Sequence, residues 1–154
     1  MLHLKFSLDG DKKLSRALVG VKTKLKDFTE PLARSSEILL KDIGINFETE
    51  GGLVGGWKPL KPSTVKGRLR EGYGAGPILQ KTRKYKQSFA GKISPKKLII
   101  DAWGIDYHKY HQSVTPRKQG ESGDMLPRRK TLFLRKPVRE EIQRFFQEYV
   151  RFNI

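Results

Sequence analysis

Cysteine is missing from all 154 residues, which excludes a disulfide framework and any zinc site built on thiolates. Long apolar runs are missing as well. No stretch reaches the ~20 residues that a membrane-spanning helix needs. The start, Met1 to Leu8, alternates polar and apolar residues where a signal peptide would carry an unbroken apolar run. The expectation is a soluble chain, made and used in the cytoplasm, with no membrane partner. Acid is scarce. Lys plus Arg number 32 against 16 Asp plus Glu, a net charge of +16. Between Gly51 and Ile100 the single acid is Glu71, against Lys or Arg at positions 58, 61, 66, 68, 70, 81, 83, 84, 86, 92, 96 and 97. Such a field attracts polyanions, nucleic acid first and an acidic protein surface second. It bears on association and leaves the fold open, and a solvated basic face is its ordinary alternative.

What is present suits one globular domain on the polar side, 36% hydrophobic and 31% charged, long enough to bury a core. Leu2, Leu4, Phe6 and Leu8 alternate with polar residues and predict a strand ended by Asp9-Gly10. Leu14, Ala17, Leu18, Val21, Leu25 and Phe28 recur at helical spacing. Thr29-Glu30-Pro31 then marks a break and restart, because proline fits a first helical turn and the residues before it can cap one. The restarted helix presents Leu32, Leu39, Ile43 and Phe47 to about Thr49, and the two helices are expected to pack as a hairpin. Further on, Pro62 to Lys66 predicts a short helix capped by Ser63 or Thr64. Leu79 to Phe89 suits a short basic helix. Phe89 to Ile93 pairs with Lys97 to Trp103 through Ser94-Pro95-Lys96, the second strand apolar on both faces and so central. Asp106 to Gln112 suits a helical turn, and Thr131 to Leu134 a short strand or a lead into the last helix. That helix opens at Pro137, places Val138, Ile142, Phe145, Phe146, Tyr149 and Phe152 on one side, and carries Glu140 and Glu141 in its first turn. The fold class is α+β: an N-terminal helical hairpin and a C-terminal helix packed on a small, mostly antiparallel sheet. A single domain, residues 1–154, carries a mobile arm at about 50–78 and a second mobile loop at about 113–127.

The arm is the stretch on which the reading turns. Gly51-Gly52-Leu53-Val54-Gly55-Gly56 gives the backbone freedom at an entropic cost, and Trp57 follows as a large apolar group that needs a covering surface. Either the indole anchors on a partner or it folds back onto its own core. Enzyme chemistry finds no comparable footing. His108 and His111 lie three apart near Asp101 and Asp106, yet outside any His-Glu-x-x-His or similar signature, so structural histidines are the simpler reading. Gly51 to Gly56 lacks the Gly-Lys-Ser/Thr ending of a phosphate loop. No catalytic residue, metal or cofactor is assigned.

Several pieces in order resemble the virion morphogenesis family of tailed bacteriophages: Phe47-x-x-Glu50-Gly51-Gly52, Trp57-Lys58-Pro59-Leu60, Thr64-x-x-x-Arg68, Ile78-Leu79-Gln80-Lys81-Thr82, Ser88-Phe89, Tyr107-x-x-x-His111-Gln112, and Leu126-Pro127-x-Arg129 running into Leu132-Phe133-Leu134. They cover roughly Phe47 to the C-terminus. The chain departs from the family where Arg83 stands in place of a usual glycine, where His108 replaces a small residue, and where Ser113-Val114 replace Phe-Gly. The resemblance implies a non-enzymatic assembly protein of a phage or prophage, acting in tail completion or head–tail joining. It would sit in the virion, and in the host cytoplasm during assembly, as an oligomeric ring or docked on one beside other neck or tail proteins. In that picture Trp57, Pro59, Leu60, Tyr107, His111 and Gln112 belong to the protein-interface region: the first three anchor in an adjacent subunit or partner, and the last three brace the sheet beside that arm. Lys81, Arg83, Lys84, Lys86, Arg128, Arg129 and Lys130 meet an acidic partner or DNA. A basic DNA- or RNA-binding module is the alternative.

Overall fold

The computed structural model describes residues 4–5 (backbone only), 27–112 and 127–152. The predicted first helix, the helical hairpin it would form, most of the N-terminal strand and the loop 113–126 lie outside the described residues. Helix α1 spans Thr29–Glu48. The Asp27 carboxylate starts it by accepting from the Thr29 N–H at 2.8 Å and from the Thr29 hydroxyl; these bonds, the hydroxyl's first, hold its pKa below the usual carboxylate range. Leu32, Leu39, Ile43 and Phe47 are all buried, as their spacing predicts. Strand β1 is Leu4–Lys5, β2 Phe89–Ser94 and β3 Lys97–Ala102. The sheet order is β1-β3-β2, so the strand apolar on both faces is central. β1 runs antiparallel to β3, Leu4 opposite Ile100 and Lys5 opposite Ile99. β2 and β3 are joined by a two-residue turn, a connection that only antiparallel neighbours allow. Helices and an antiparallel sheet, with helical regions before and after it, make a mixed α+β fold.

The chain divides into two compact units, and α1, β2 and β3 each contribute to both. The second unit takes in residues 27–40, 91–100 and 134–152 with β1. Its interior is mainly apolar, with Ser35 and Ser36 as small buried polar residues. Phe28, Leu32, Leu39, Leu98, Ile100, Val138, Phe146 and Val150 are buried. The Phe28 ring meets Phe146 at 5.8 Å and Tyr149 at 6.0 Å between centroids. Gly91 lies so close to Ser36 that a Cβ there would collide with the hydroxyl; a small residue on each element lets helix and strand approach. Helix α5, Lys136–Phe152, supplies Val138, Phe146 and Val150. It starts one residue ahead of Pro137, so Glu140 and Glu141 fall past the first turn, and Glu140 instead lies 3.9 Å from Lys136. Phe152, expected on the buried side, is 83% exposed, because it sits in the last turn of the helix.

The first unit, residues 41–90, 101–112 and 127–133, has less regular structure: a 3-10 turn at Gly52–Val54, α2 at Pro62–Arg70, α3 at Lys84–Gln87 and α4 at His108–Gln112. Two expectations change. α2 is capped by Lys61, with Pro62 in its first position and no side-chain cap; proline has no N–H to leave unpaired there, and Ser63 and Thr64 fall inside the helix. α3 is four residues long, because Leu79 and Arg83 both take φ +59, a left-handed backbone that no α-helix contains. Thr131, Leu132 and Phe133 are buried in irregular chain.

Candidate functional site

Phe47, at the end of α1, is the centre of the first unit. It is fully buried and takes Trp57 edge-on at 5.2 Å, Tyr85 at 5.5 Å and Phe89 at 5.7 Å between ring centroids. Trp57 is 7% exposed. Its Nε1–H donates to the Lys130 carbonyl at 3.1 Å, which also accepts from Asn46 Nδ2 at 3.0 Å. The expectation that Trp57 anchors on another molecule is therefore corrected: the indole fills its own unit's core and satisfies its one polar atom there.

The glycines beside it serve this packing. Gly51 takes φ +91, and a Cβ on it would lie 2.7 Å from the Trp57 backbone nitrogen and against the indole. The loop closes on itself through Gly51 N–H to Asn46 carbonyl (2.7 Å), Gly56 N–H to Gly51 carbonyl (2.8 Å) and Trp57 N–H to Glu50 carbonyl (2.8 Å). The Glu50 carboxylate accepts from the Ile78 N–H at 2.8 Å, Gln80 Nε2 donates to the Phe47 carbonyl at 2.9 Å, and Arg68 Nη1 donates to the Pro77 carbonyl at 2.9 Å. Residues 50–78 are thus pinned at both ends and in the middle, which replaces the free arm with a braced loop. Arg129 adds a further tie, its Nε and Nη2 donating to the Lys58 carbonyl at 3.2 and 2.9 Å.

Around Tyr85 lies a buried polar network whose directions can be deduced. The backbone N–H groups of Thr131 (2.8 Å) and Leu132 converge on one carboxamide atom of Gln112, which must then be its oxygen. The Thr131 hydroxyl donates to the same oxygen. It therefore accepts from the Tyr85 hydroxyl at 2.8 Å, and Tyr85 accepts from His108 Nδ1 at 2.7 Å. The His108 proton sits on Nδ1. Its Nε2 has no hydrogen-bond partner and faces Asp101 Oδ1 at 3.6 Å. Burial holds the His108 pKa below the usual histidine range despite that carboxylate. His111, 5% exposed, is pushed down to about 4, by burial first and then by Arg129 and His108. Tyr85 is pushed up, chiefly by burial. At neutral pH the cluster thus holds two neutral imidazoles and a protonated phenol whose hydroxyl is taken on both sides. It offers geometry, with no accessible nucleophile or base.

The other expected residues divide. Pro59 is exposed, Leu60 half-buried and Tyr107 43% exposed. His111 and Gln112 are 5% and 6% exposed, internal residues in keeping with the bracing role expected of them. Arg129, at 6%, is likewise internal, its guanidinium spent on backbone carbonyls. Lys81 pairs with Glu71, and Lys86 with Glu48 at 3.1 Å. Arg83, Lys84, Arg128 and Lys130 are exposed and make no ion pair among the described residues. Asp106 is exposed, and no group of three or more His, Asp or Glu among the described residues is placed to hold a metal. Asn46 and Thr131 are the supports that sequence reasoning missed. Asn46, polar on the same α1 face as Ile43 and Phe47, was the one signal available.

Compared with protein-family models, curated proteins and solved structures, the chain matches none. No helix among the described residues is long and apolar enough to cross a membrane.

Proposed function

We propose that the chain is a non-enzymatic assembly protein of a tailed bacteriophage or prophage, acting in tail completion or head–tail joining through contacts with other neck or tail proteins. With Trp57 inside its own unit, this reading rests on the resemblance and no longer on a partner-seeking arm. The observation that carries it is the backbone at Arg83. The resemblance places a glycine at this position, and Arg83 takes φ +59, a conformation that glycine adopts freely and that few other residues do. A chance match of short motifs gives no reason for the departure to fall where the backbone asks for glycine. The pieces of the likeness also hold one another: Phe47, Glu50, Gly51, Trp57, Arg68, Ile78, Gln80, Gln112 and Arg129 are the residues that tie the first unit together.

Removal of the reading frame from a particle-producing genome that encodes it tests the reading. Filled heads and unjoined tails should accumulate, and the purified protein should restore infectivity to that extract. Normal particle yield without the chain, or a reading frame with no particle genes around it, would overturn the proposal. A basic nucleic-acid-binding module is the second reading, favoured by exposed Arg83, Lys84, Arg128 and Lys130. It requires binding to duplex or single-stranded DNA that falls steeply with salt.

A further inference from the structure

Helix α2 wears its polarity reversed. It holds to the first unit through Arg68, 7% exposed, while Leu69 beside it is 56% exposed. Half-buried Val65 and exposed Leu69 lie four residues apart on one face of the helix. Tyr73 lies beyond the helix end, and the cap fixes it there. Gly72, at φ +79, lets the Tyr73 N–H reach back to the Arg68 carbonyl (2.9 Å) and its own N–H to the Leu69 carbonyl (3.1 Å), the paired bonds of a glycine C-cap. The Tyr73 ring carries the Lys81 ammonium 4.8 Å from its centroid, and Lys81 is paired with Glu71. Leu69 and Tyr73 are thus exposed without being loose. On the flank, Lys66 and Arg70 are exposed and make no hydrogen bond or ion pair among the described residues. With Leu69 they line a shallow, open depression.

We propose that this face of α2 is a docking surface for an acidic protein segment, with one apolar side chain of the partner seated on Leu69 and its carboxylates against Lys66 and Arg70. Charge complementarity selects the partner. Glu71, the single acid between Gly51 and Ile100, is engaged by Lys81, and Lys66 and Arg70 have no ion-pair partner among the described residues, which leaves two cations beside an apolar centre. Nucleic acid fits less well, because aliphatic Leu69 gives a base nothing to stack on and one face of Tyr73 is taken by an ammonium. A fixed apolar anchor inside a polar rim is the arrangement in which a few residues dominate binding. The inference goes beyond the assembly reading and does not depend on it.

The test uses the full chain and a short fluorescein-labelled peptide of glutamates and aspartates around a central Leu-Phe pair, read by fluorescence anisotropy at low salt. Saturable binding is expected, weakened about tenfold or more by Leu69→Asp and lost in Lys66→Glu/Arg70→Glu. Removing equal charge from α5 by Arg139→Glu/Arg144→Glu should leave it unchanged. All variants should melt with the wild type, since every substituted side chain is exposed. Absence of saturable binding overturns the proposal. So does equal binding of a peptide lacking the Leu-Phe pair, or indifference to Leu69→Asp. Tighter binding of single-stranded DNA, lost in the same variants, would assign the face to nucleic acid instead. Particle yield plays no part here, so failure of the peptide and failure of the assembly reading are separate results.

Discussion

In the second unit Phe28, Leu32, Leu39, Phe146 and Val150 form a mainly apolar interior, with small Ser35 and Ser36 as the buried polar residues among those described. In the first unit an equally aromatic interior, Phe47 with Trp57, Tyr85 and Phe89, is threaded by Asn46, His108, Gln112, Thr131 and Arg129. The contrast follows from what each must hold in place. The second unit packs one long helix and parts of another and of the strands, elements that fix their own backbones, so non-directional burial suffices. The first must fix long irregular stretches around 50–60, 77–83 and 127–133, whose carbonyls and N–H groups need partners once buried. Side chains supply them. Directional bonds specify one arrangement where a repeating pattern does not, and every unpaired member of such a network is costly.

The sharpest way to break the comparison is Trp57→Ala. It should destabilise by about 3–5 kcal/mol, the cost of truncating a buried aromatic, and also strip one donor from the Lys130 carbonyl. Phe146→Ala should cost a similar amount. Chemical denaturation gives the sizes, and amide exchange assigns them: Trp57→Ala should expose amides of the first unit before those of the second. An unchanged melting curve for Trp57→Ala would mean that the indole is not a core residue.

Acid should separate the units next. A buried histidine whose pKa lies below its unfolded value binds its proton only after the unfolded chain has done so. Stability is therefore complete above about pH 6.5 and is lost as pH falls toward the folded value. For His111, lowered from 6.5 to about 4, that window carries about 3 kcal/mol, and His108 acts in the same direction. The second unit has no histidine among its described residues. Denaturation at pH 7, 5.5 and 4 should show the loss, and His111→Gln should flatten the slope. An equal slope in His111→Gln would place the acid sensitivity elsewhere.

Legibility in the sequence follows the same division. The extent of α1, the β2–β3 hairpin and the buried side of α5 were open to reading because each shows its period within a few turns or alternations. The first unit hides its logic in separation along the chain. Trp57 and Asn46 find the Lys130 carbonyl across 73 and 84 positions, and no local pattern announces such a pairing. Gly51 and Gly52 read as freedom, yet Gly51 is there because an indole passes where its Cβ would stand. Leu79, an ordinary helix former, gave no sign of a left-handed backbone, and at Arg83 the sign lay in the glycine of the resemblance and not in the residue itself. His108 and His111 were visible as a pair of structural histidines, and Tyr85 as an aromatic of a short basic helix whose buried face caps the core, but nothing local showed that its hydroxyl links His108 to Thr131.

Tyr85→Phe probes that link with the smallest change. The ring and its packing on Phe47 stay, while His108 Nδ1 and the Thr131 hydroxyl lose their common partner. The expected cost is about 1–3 kcal/mol, the penalty of leaving buried polar atoms unpaired, with an unchanged denaturant slope, since no additional surface is exposed in either state. Adding His108→Leu to Tyr85→Phe removes one of the stranded groups together with its donor, so the double variant should recover part of the loss. If the single change costs nothing, the phenol's bonds are not what hold irregular residues 131–133 against the core, and the apolar rings alone do the holding, as they do in the second unit. If the double variant is less stable than Tyr85→Phe alone, the histidine's ring packs better than a leucine can, and its role is shape as much as hydrogen bonding.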